Sequence, residues 1–171
     1  MVAPAVTRPR FPKGYVEGPR GFLAWKRVER QLSDAIHYWL CSVRPNHRPH
    51  AVPKWAVWVR GRLYFDGSPQ TRHARNIARN PFVSVHLESG EKAVIVDGTA
   101  GEKKPSRALA VAIARAYAKK YAALGYSPKP NSWDAGGLFE IVPASVIAWS
   151  SFAVDPTKFV FAASRTRRPR R

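Results

Sequence analysis

Residues 50–80, HAVPKWAVWVRGRLYFDGSPQTRHARNIARN, decide the fold. Ala51 to Val59 is rich in Val and Trp, which suit a half-buried pleated surface, and Arg60-Gly61-Arg62 supplies a turn before Leu63-Tyr64-Phe65. The pair reads as a β-hairpin. Asp66-Gly67-Ser68-Pro69 is a cluster of turn formers, after which Thr71 can cap a short helix that extends to Asn80 and is stopped by Pro81. Arg72, Arg75 and Arg79 share one face of this helix, leaving Ala74, Ile77 and Ala78 to face the sheet. The unpaired amides and positive dipole of its first turn attract an anion, and Thr71, Arg72 and His73 stand where they could complete a phosphate cradle. A solvated basic face on a connecting helix fits the same residues, and spacing alone does not choose between the two.

Working upstream, His37 to Val43 reads as a buried strand, joined to the hairpin through the polar turn Arg44-Pro45-Asn46-His47-Arg48. Before it, Val28, Leu32, Ala35 and Ile36 follow helical spacing. Downstream, Phe82 to Leu87 alternates as a strand does, and Ala93 to Ala100 is a β-branched run in which Gly98 allows a bulge or a close approach. Pro105 opens the longest helix, through about Leu124. Leu109, Ile113, Tyr117 and Tyr121 form its buried stripe, with Lys103, Lys104, Arg107, Arg115, Lys119 and Lys120 as solvated positions. Tyr126 to Gly137 is a loop by composition, Leu138 to Trp149 returns to strand with a break at Pro143, and Lys158 to Ala162 is a last short strand. Six or seven short strands interrupted by helices point to a mainly β fold, a small closed barrel with appended helices.

The 171 residues suffice for one domain with a sizeable core, and 45% hydrophobic residues with six Trp place the chain among globular proteins. The expected organisation is a disordered basic arm over residues 1–21, the barrel over 22–162 and a basic disordered tail over 163–171. No apolar stretch approaches a membrane span, and the N-terminus lacks a signal-peptide core, so the expected setting is cytoplasmic. The single cysteine, Cys41, excludes an intramolecular disulfide and reads as a core thiol. His37, His47, His50, His73 and His86 lack metal-ligand spacing, and there is no GxSxG nucleophile elbow. The net charge of +18, with 29 Lys and Arg against 11 Asp and Glu, makes nucleic acid a rival to a small anionic ligand. Much of that excess sits in the two ends, whose expected binding to RNA or DNA is weak and salt-dependent.

HRPHAVPKWAVWVRGRLYF, then TRHARNIARNPFVSVHLE, then AVIVDGTA, in this order and spacing, resemble the pyridoxamine 5′-phosphate oxidase-like split β-barrels, and within them the flavin/deazaflavin oxidoreductase group of F420-dependent enzymes. The resemblance covers about residues 25–161. It implies a six-stranded antiparallel split β-barrel that works as a homodimer, with coenzyme F420 or FMN in a groove between subunits. By the same resemblance the cofactor phosphate lies on Thr71, Arg72, His73 and Asn76 with Arg75 nearby. The ring lies against Lys54, Trp55 and Ala56 and the strand end Phe65-Asp66. The segment around Trp149 and DPTKFVF is similar to the family's closing motif, with Lys158 and Phe159 where Arg and Trp are common. Two further departures are His73 in place of a common Lys, which implies a weaker or pH-sensitive phosphate contact, and Asn46-His47 in place of Asp-Gly.

Three function classes follow, in order of preference. The first is an oxidoreductase using F420 or FMN on a small organic substrate, to which the protein contributes orientation and electrostatics, with no acid-base residue singled out. The second is a non-catalytic cofactor carrier of the same fold. The third is nucleic-acid binding through the basic arms. A strongly basic groove favours F420, whose tail carries extra carboxylates.

Overall fold

The hairpin expected over residues 51–65 is broken in its first arm. The computed structural model describes residues 3–162; there, Pro49–Lys54 and Ala56–Val59 are separate strands with Trp55 at the break. The two halves serve different neighbours: His50 and Ala51 pair with Ser42 and Cys41, whereas Ala56 and Val57 pair with Phe65 and Tyr64. One apolar run thereby supplies both parts of the split barrel.

In chain order the elements are β1 (Ala5–Thr7), α1 (Trp25–Asp34), β2 (Tyr38–Val43), β3 (Pro49–Lys54), β4 (Ala56–Val59), β5 (Arg62–Asp66), α2 (Arg72–Arg79), β6 (Phe82–His86), β7 (Val94–Glu102), α3 (Arg107–Tyr121), β8 (Leu138–Ala148) and β9 (Thr157–Val160). All pairings are antiparallel. The sheet runs β1-β9-β8-β7-β6-β2-β3, with β4 on β5 and β5 on β8. β8 is the hinge of the architecture, because Leu138 to Ile141 pair with β5 while Ser145 to Ala148 pair with β9. β8 runs on through Pro143, and the irregularity sits beside it: Asp97 and Gly98 of β7 face Ser145 and Pro143, which leaves Ala144 of β8 as the extra residue of a bulge. The result is the antiparallel split barrel with appended helices.

The barrel interior holds Leu40, Phe65, Val85, Val96, Phe139, Ile141, Val146 and Phe159, with Val28 and Leu32 of α1 and Ala74 and Ile77 of α2 laid into it. A second apolar layer lies between α3 and the β4–β5 pair, where Ile113, Tyr117 and Tyr121 meet Val57, Tyr64, Trp133 and Leu138. The expected stripe of α3 holds at those three positions, and Ser106, not Pro105, is its cap. Lys120 departs from its expected solvated role. It is half-buried and donates to the Ala35 carbonyl, the Tyr38 hydroxyl and the Ala56 carbonyl at 2.9, 2.7 and 3.2 Å.

Four further expectations change. Within the segment expected to be a disordered arm, Ala5–Thr7 form β1 on β9 and Arg8 donates to the Pro156 and Gly21 carbonyls, while residues 8–21 carry no helix or strand. Pro4, Pro9 and Pro12 with Arg8 and Arg10, all within nine residues, look like a solvated arm, but Arg8 has carbonyls to bind and the intervening apolar residues have a sheet to rest on. Ala35 and Ile36 fall beyond α1, and Ile36 is exposed. Ala78 is exposed as well, and His73 and Asn76 turn inward in its stead. Cys41 is only partly covered, because it alternates with buried Leu40 and Ser42 on the outer face of β2. The expected basic tail lies outside the described residues.

Candidate functional site

α2 begins where the sequence places it. Thr71 is the N-cap, its hydroxyl accepting from the Ala74 amide, and the amides of Arg72 and His73 are left facing outward from the first turn. Arg72, Arg75 and Arg79 are exposed along one face. With Pro45 and Asn76 they border a groove of about 280 Å³.

Behind this face lies a buried polar layer. Asn76, 1% exposed, donates through Nδ2 to Ser42 Oγ at 3.0 Å, and its Oδ1 has no partner. Ser42 is the register partner of His50, and Arg44 Nη2 reaches His50 Nδ1 at 3.4 Å. Because the guanidinium only donates, Nδ1 accepts and the ring proton belongs on Nε2. That Nε2–H is buried and unpartnered, as is Arg44 Nε–H. Burial and the neighbouring Arg44 and Arg72 lower the pKa of His50 and keep it neutral. Two unmatched donors and one unmatched acceptor therefore stand beside the start of a helix that carries three arginines. Native interiors rarely leave such atoms orphaned without a ligand or water to satisfy them.

Sequence reasoning missed Arg44 and His50. The Arg44-to-His50 interval reads as a turn, and only the β2–β3 register carries its two ends to α2. The turn closes with the His47 amide on the Arg44 carbonyl at 2.9 Å, and His47 takes φ 61°, a left-handed conformation available at low cost to Gly and reached here by His.

His73 does not act as a cation. It is 7% exposed, its Nε2 lies 3.1 Å from the Thr71 hydroxyl and its ring is 5.9 Å from that of Phe65. Burial, then Lys54 and His50, depress its pKa to about 4. It orients the capping hydroxyl as a neutral imidazole and brings no positive charge to the start of α2 near neutrality.

Lys54 and Phe65 accompany this cluster, Lys54 Nζ lying 5.3 Å from the Phe65 ring and donating to the Asp66 carbonyl at 3.1 Å. Burial lowers its pKa and Asp66 opposes the shift. The other expected ring neighbours, Trp55, Ala56 and Asp66, make structural contacts of their own. Trp55 stacks on Tyr121 at 4.9 Å, Ala56 has its amide and carbonyl tied to the Tyr121 hydroxyl, and the Asp66 carboxylate accepts from Tyr126 and Trp133. Trp149 and Lys158 share a different cavity with the N-terminal segment and do not meet α2 within one chain. Among the described residues no group of His, Cys, Asp and Glu could hold a metal ion.

The family model for pyridoxamine 5′-phosphate oxidase matches residues 24–150. The chain belongs to that family. Solved structures agree on the fold. An F420 reductase is 19% identical, with a TM-score of 0.53, over 75% of this chain and 98% of its own. A heme binding protein from Mycobacterium smegmatis is 18% identical, with a TM-score of 0.59, over 76% of this chain and 55% of its own. General Stress Protein 26 from Bacillus anthracis is 19% identical, with a TM-score of 0.59, over 81% of this chain and 100% of its own. No curated protein matches the sequence. At these identities the likeness to solved structures establishes the split barrel of this pyridoxamine 5′-phosphate oxidase family member and leaves its ligand to the site chemistry. No described helix is long and apolar enough to cross a membrane.

Proposed function

We propose that this protein is an oxidoreductase that holds F420 or FMN by its phosphate at the start of α2 and acts on a small organic substrate. The observation that carries the reading is the orphaned polar trio of Arg44 Nε, His50 Nε2 and Asn76 Oδ1. A phosphate ester on a hydroxylated chain matches it in kind: anionic oxygens accept from the two donors and from the first-turn amides, and a hydroxyl donates to Asn76. Both cofactors offer that combination. When bound, the ring supplies hydride or electron transfer. The chain's own part is to fix the phosphate, neutralise it with Arg72 and Arg75, and hold Lys54 and Phe65 beside the cradle.

A homodimer belongs to the same reading. The outer sheet face beside the cradle is apolar, with Phe82 68% exposed next to Val43 and Pro49 around a cavity of about 400 Å³.

A carrier role is the second reading. Asp66 and Trp55 are spent on structural contacts, which leaves few reactive groups beside the cradle. The heme binding neighbour makes heme a ligand to include.

Titration of the purified protein with F420, FMN and heme, followed by absorbance and fluorescence, tests both. Stoichiometric binding of F420 or FMN that is lost in Arg72→Ala, with turnover of the reduced cofactor by an electron-poor alkene, supports the oxidoreductase. Binding without turnover selects the carrier, and failure of F420 and FMN alike removes the reading.

A further inference from the structure

The N-terminal segment lies outside the stretch matched by the family, and the fold uses it to build a second cavity. After β1 pairs with β9, residues 8–22 turn back across the outer face of the sheet. Arg8 holds the turn: its guanidinium donates to the Pro156 and Gly21 carbonyls and lies 4.0 Å from the Phe22 ring centre. Beneath the strap is a space of about 730 Å³, within the range of small-molecule sites.

Its floor is apolar, formed by Ile95, Ile147 and Val160 of neighbouring strands. Its wall is aromatic. Phe152 meets Trp149 edge-on at 5.1 Å, Phe11 at 5.4 Å and Tyr15 at 6.0 Å, and Trp149 is pinned through Nε1 to the Gly90 carbonyl at 3.2 Å. Tyr15 is 65% exposed and stands at the mouth. Lys158 and Arg10 also line the space, no Asp or Glu does, and neither side chain makes a hydrogen bond or ion pair with a described residue.

We infer that this cavity binds a planar aromatic carboxylate, its ring held edge-on and face-on by Phe11, Tyr15, Trp149 and Phe152 and its carboxylate held by Lys158 with Arg10. Flat apolar surface suits the rings, and a half-covered ammonium in an apolar setting calls for a counter-charge that the cavity itself does not provide. The site stands without the cofactor. Only its use as the seat of the redox substrate rests on the proposed function.

The test is calorimetric titration of the full chain, without cofactor, with 2-naphthoate and its neutral isostere 2-naphthalenemethanol. Saturable binding of the acid is expected, with the alcohol at least tenfold weaker. Lys158→Gln should weaken the acid about tenfold and leave the alcohol unchanged; Tyr15→Ala should weaken both, with an unchanged melting temperature. Arg72→Ala should leave naphthoate binding intact while abolishing cofactor binding, which separates failure here from failure of the redox reading. Absence of saturable naphthoate binding, equal loss of acid and alcohol in Lys158→Gln, or loss of naphthoate binding in Arg72→Ala would each overturn the assignment.

Discussion

Lys120 Nζ lies 2.7 Å from the hydroxyl of Tyr38, and that hydroxyl in turn donates to the Leu32 carbonyl. One ammonium thus ties the end of α3 to β2, to the end of α1 and, through Ala56, to β4. Replacement by Met keeps the stem, strands the Ala35 carbonyl and takes one donor each from the Tyr38 hydroxyl and the Ala56 carbonyl, which retain Leu32 and Tyr121 as partners. The expected loss is about 2–4 kcal/mol, measured by urea unfolding.

The same lysine gives a pH signature. Burial lowers its pKa from 10.5 to about 8. Between these values the unfolded chain binds the proton more readily than the native one, so stability rises with pH from about 8 toward 10. Above that range the tyrosines whose pKa burial raises, Tyr38 and Tyr121 among them, oppose the trend. Melting temperature should climb between pH 8 and 10 in the wild type, and the climb should vanish in Lys120→Met.

His73 titrates on the opposite side of neutrality. Its native pKa of about 4 lies below the ordinary 6.5, so the unfolded state takes up the proton first as pH falls. Its contribution is complete above pH 6.5 and is lost progressively toward pH 4, a change of roughly 1–3 kcal/mol. His73→Gln should flatten that part of the stability profile. An NMR titration of the His73 ring that found a pKa above 6 would refute the buried neutral assignment.

The helix at Thr71 was legible because every signal for it is local: a cap, an apolar pair at helical spacing and a proline stop. Arg44 and His50 were not, because what makes them a pair with Asn76 is the β2–β3 register, fixed by long-range pairing. Lys120 was misread for a related reason. It sits one position before buried Tyr121, on the border of the stripe, and only the crossing of α3 over β2 and β4 supplies its acceptors. The N-terminal strap was hidden by composition, since prolines and arginines obscured the apolar residues Val6, Phe11 and Tyr15 between them.

Gly98 was legible in kind, and the structure gives it a mechanism. A Cβ there would stand 2.2 Å from the Val142 carbonyl oxygen, a backbone atom of the paired strand that cannot swing aside. Gly98→Ala should destabilise by about 1–3 kcal/mol or more, whereas Gly101→Ala, with open space around it, should be nearly neutral. Equal unfolding midpoints for the two variants would contradict the close approach of β7 and β8.

Asn76→Asp tests the cradle most directly, because it replaces a neutral amide by a carboxylate of the same shape. In the wild type Nδ2 donates to Ser42 and Oδ1 waits for a donor; the aspartate can still accept from the Ser42 hydroxyl, and the nearby Arg44 and Arg72 favour its ionised form. The apo fold should therefore persist. Phosphate affinity should not, since the new charge takes up the arginines that the ligand needs. Arg44→Met removes one donor and its charge while leaving the helix intact. It should weaken F420 or FMN by about 1.5–3 kcal/mol, roughly ten- to a hundredfold, and reduce the salt dependence of binding. If both variants bound cofactor as the wild type does, the phosphate would have to lie elsewhere, and the orphaned atoms around Asn76 would need a different partner.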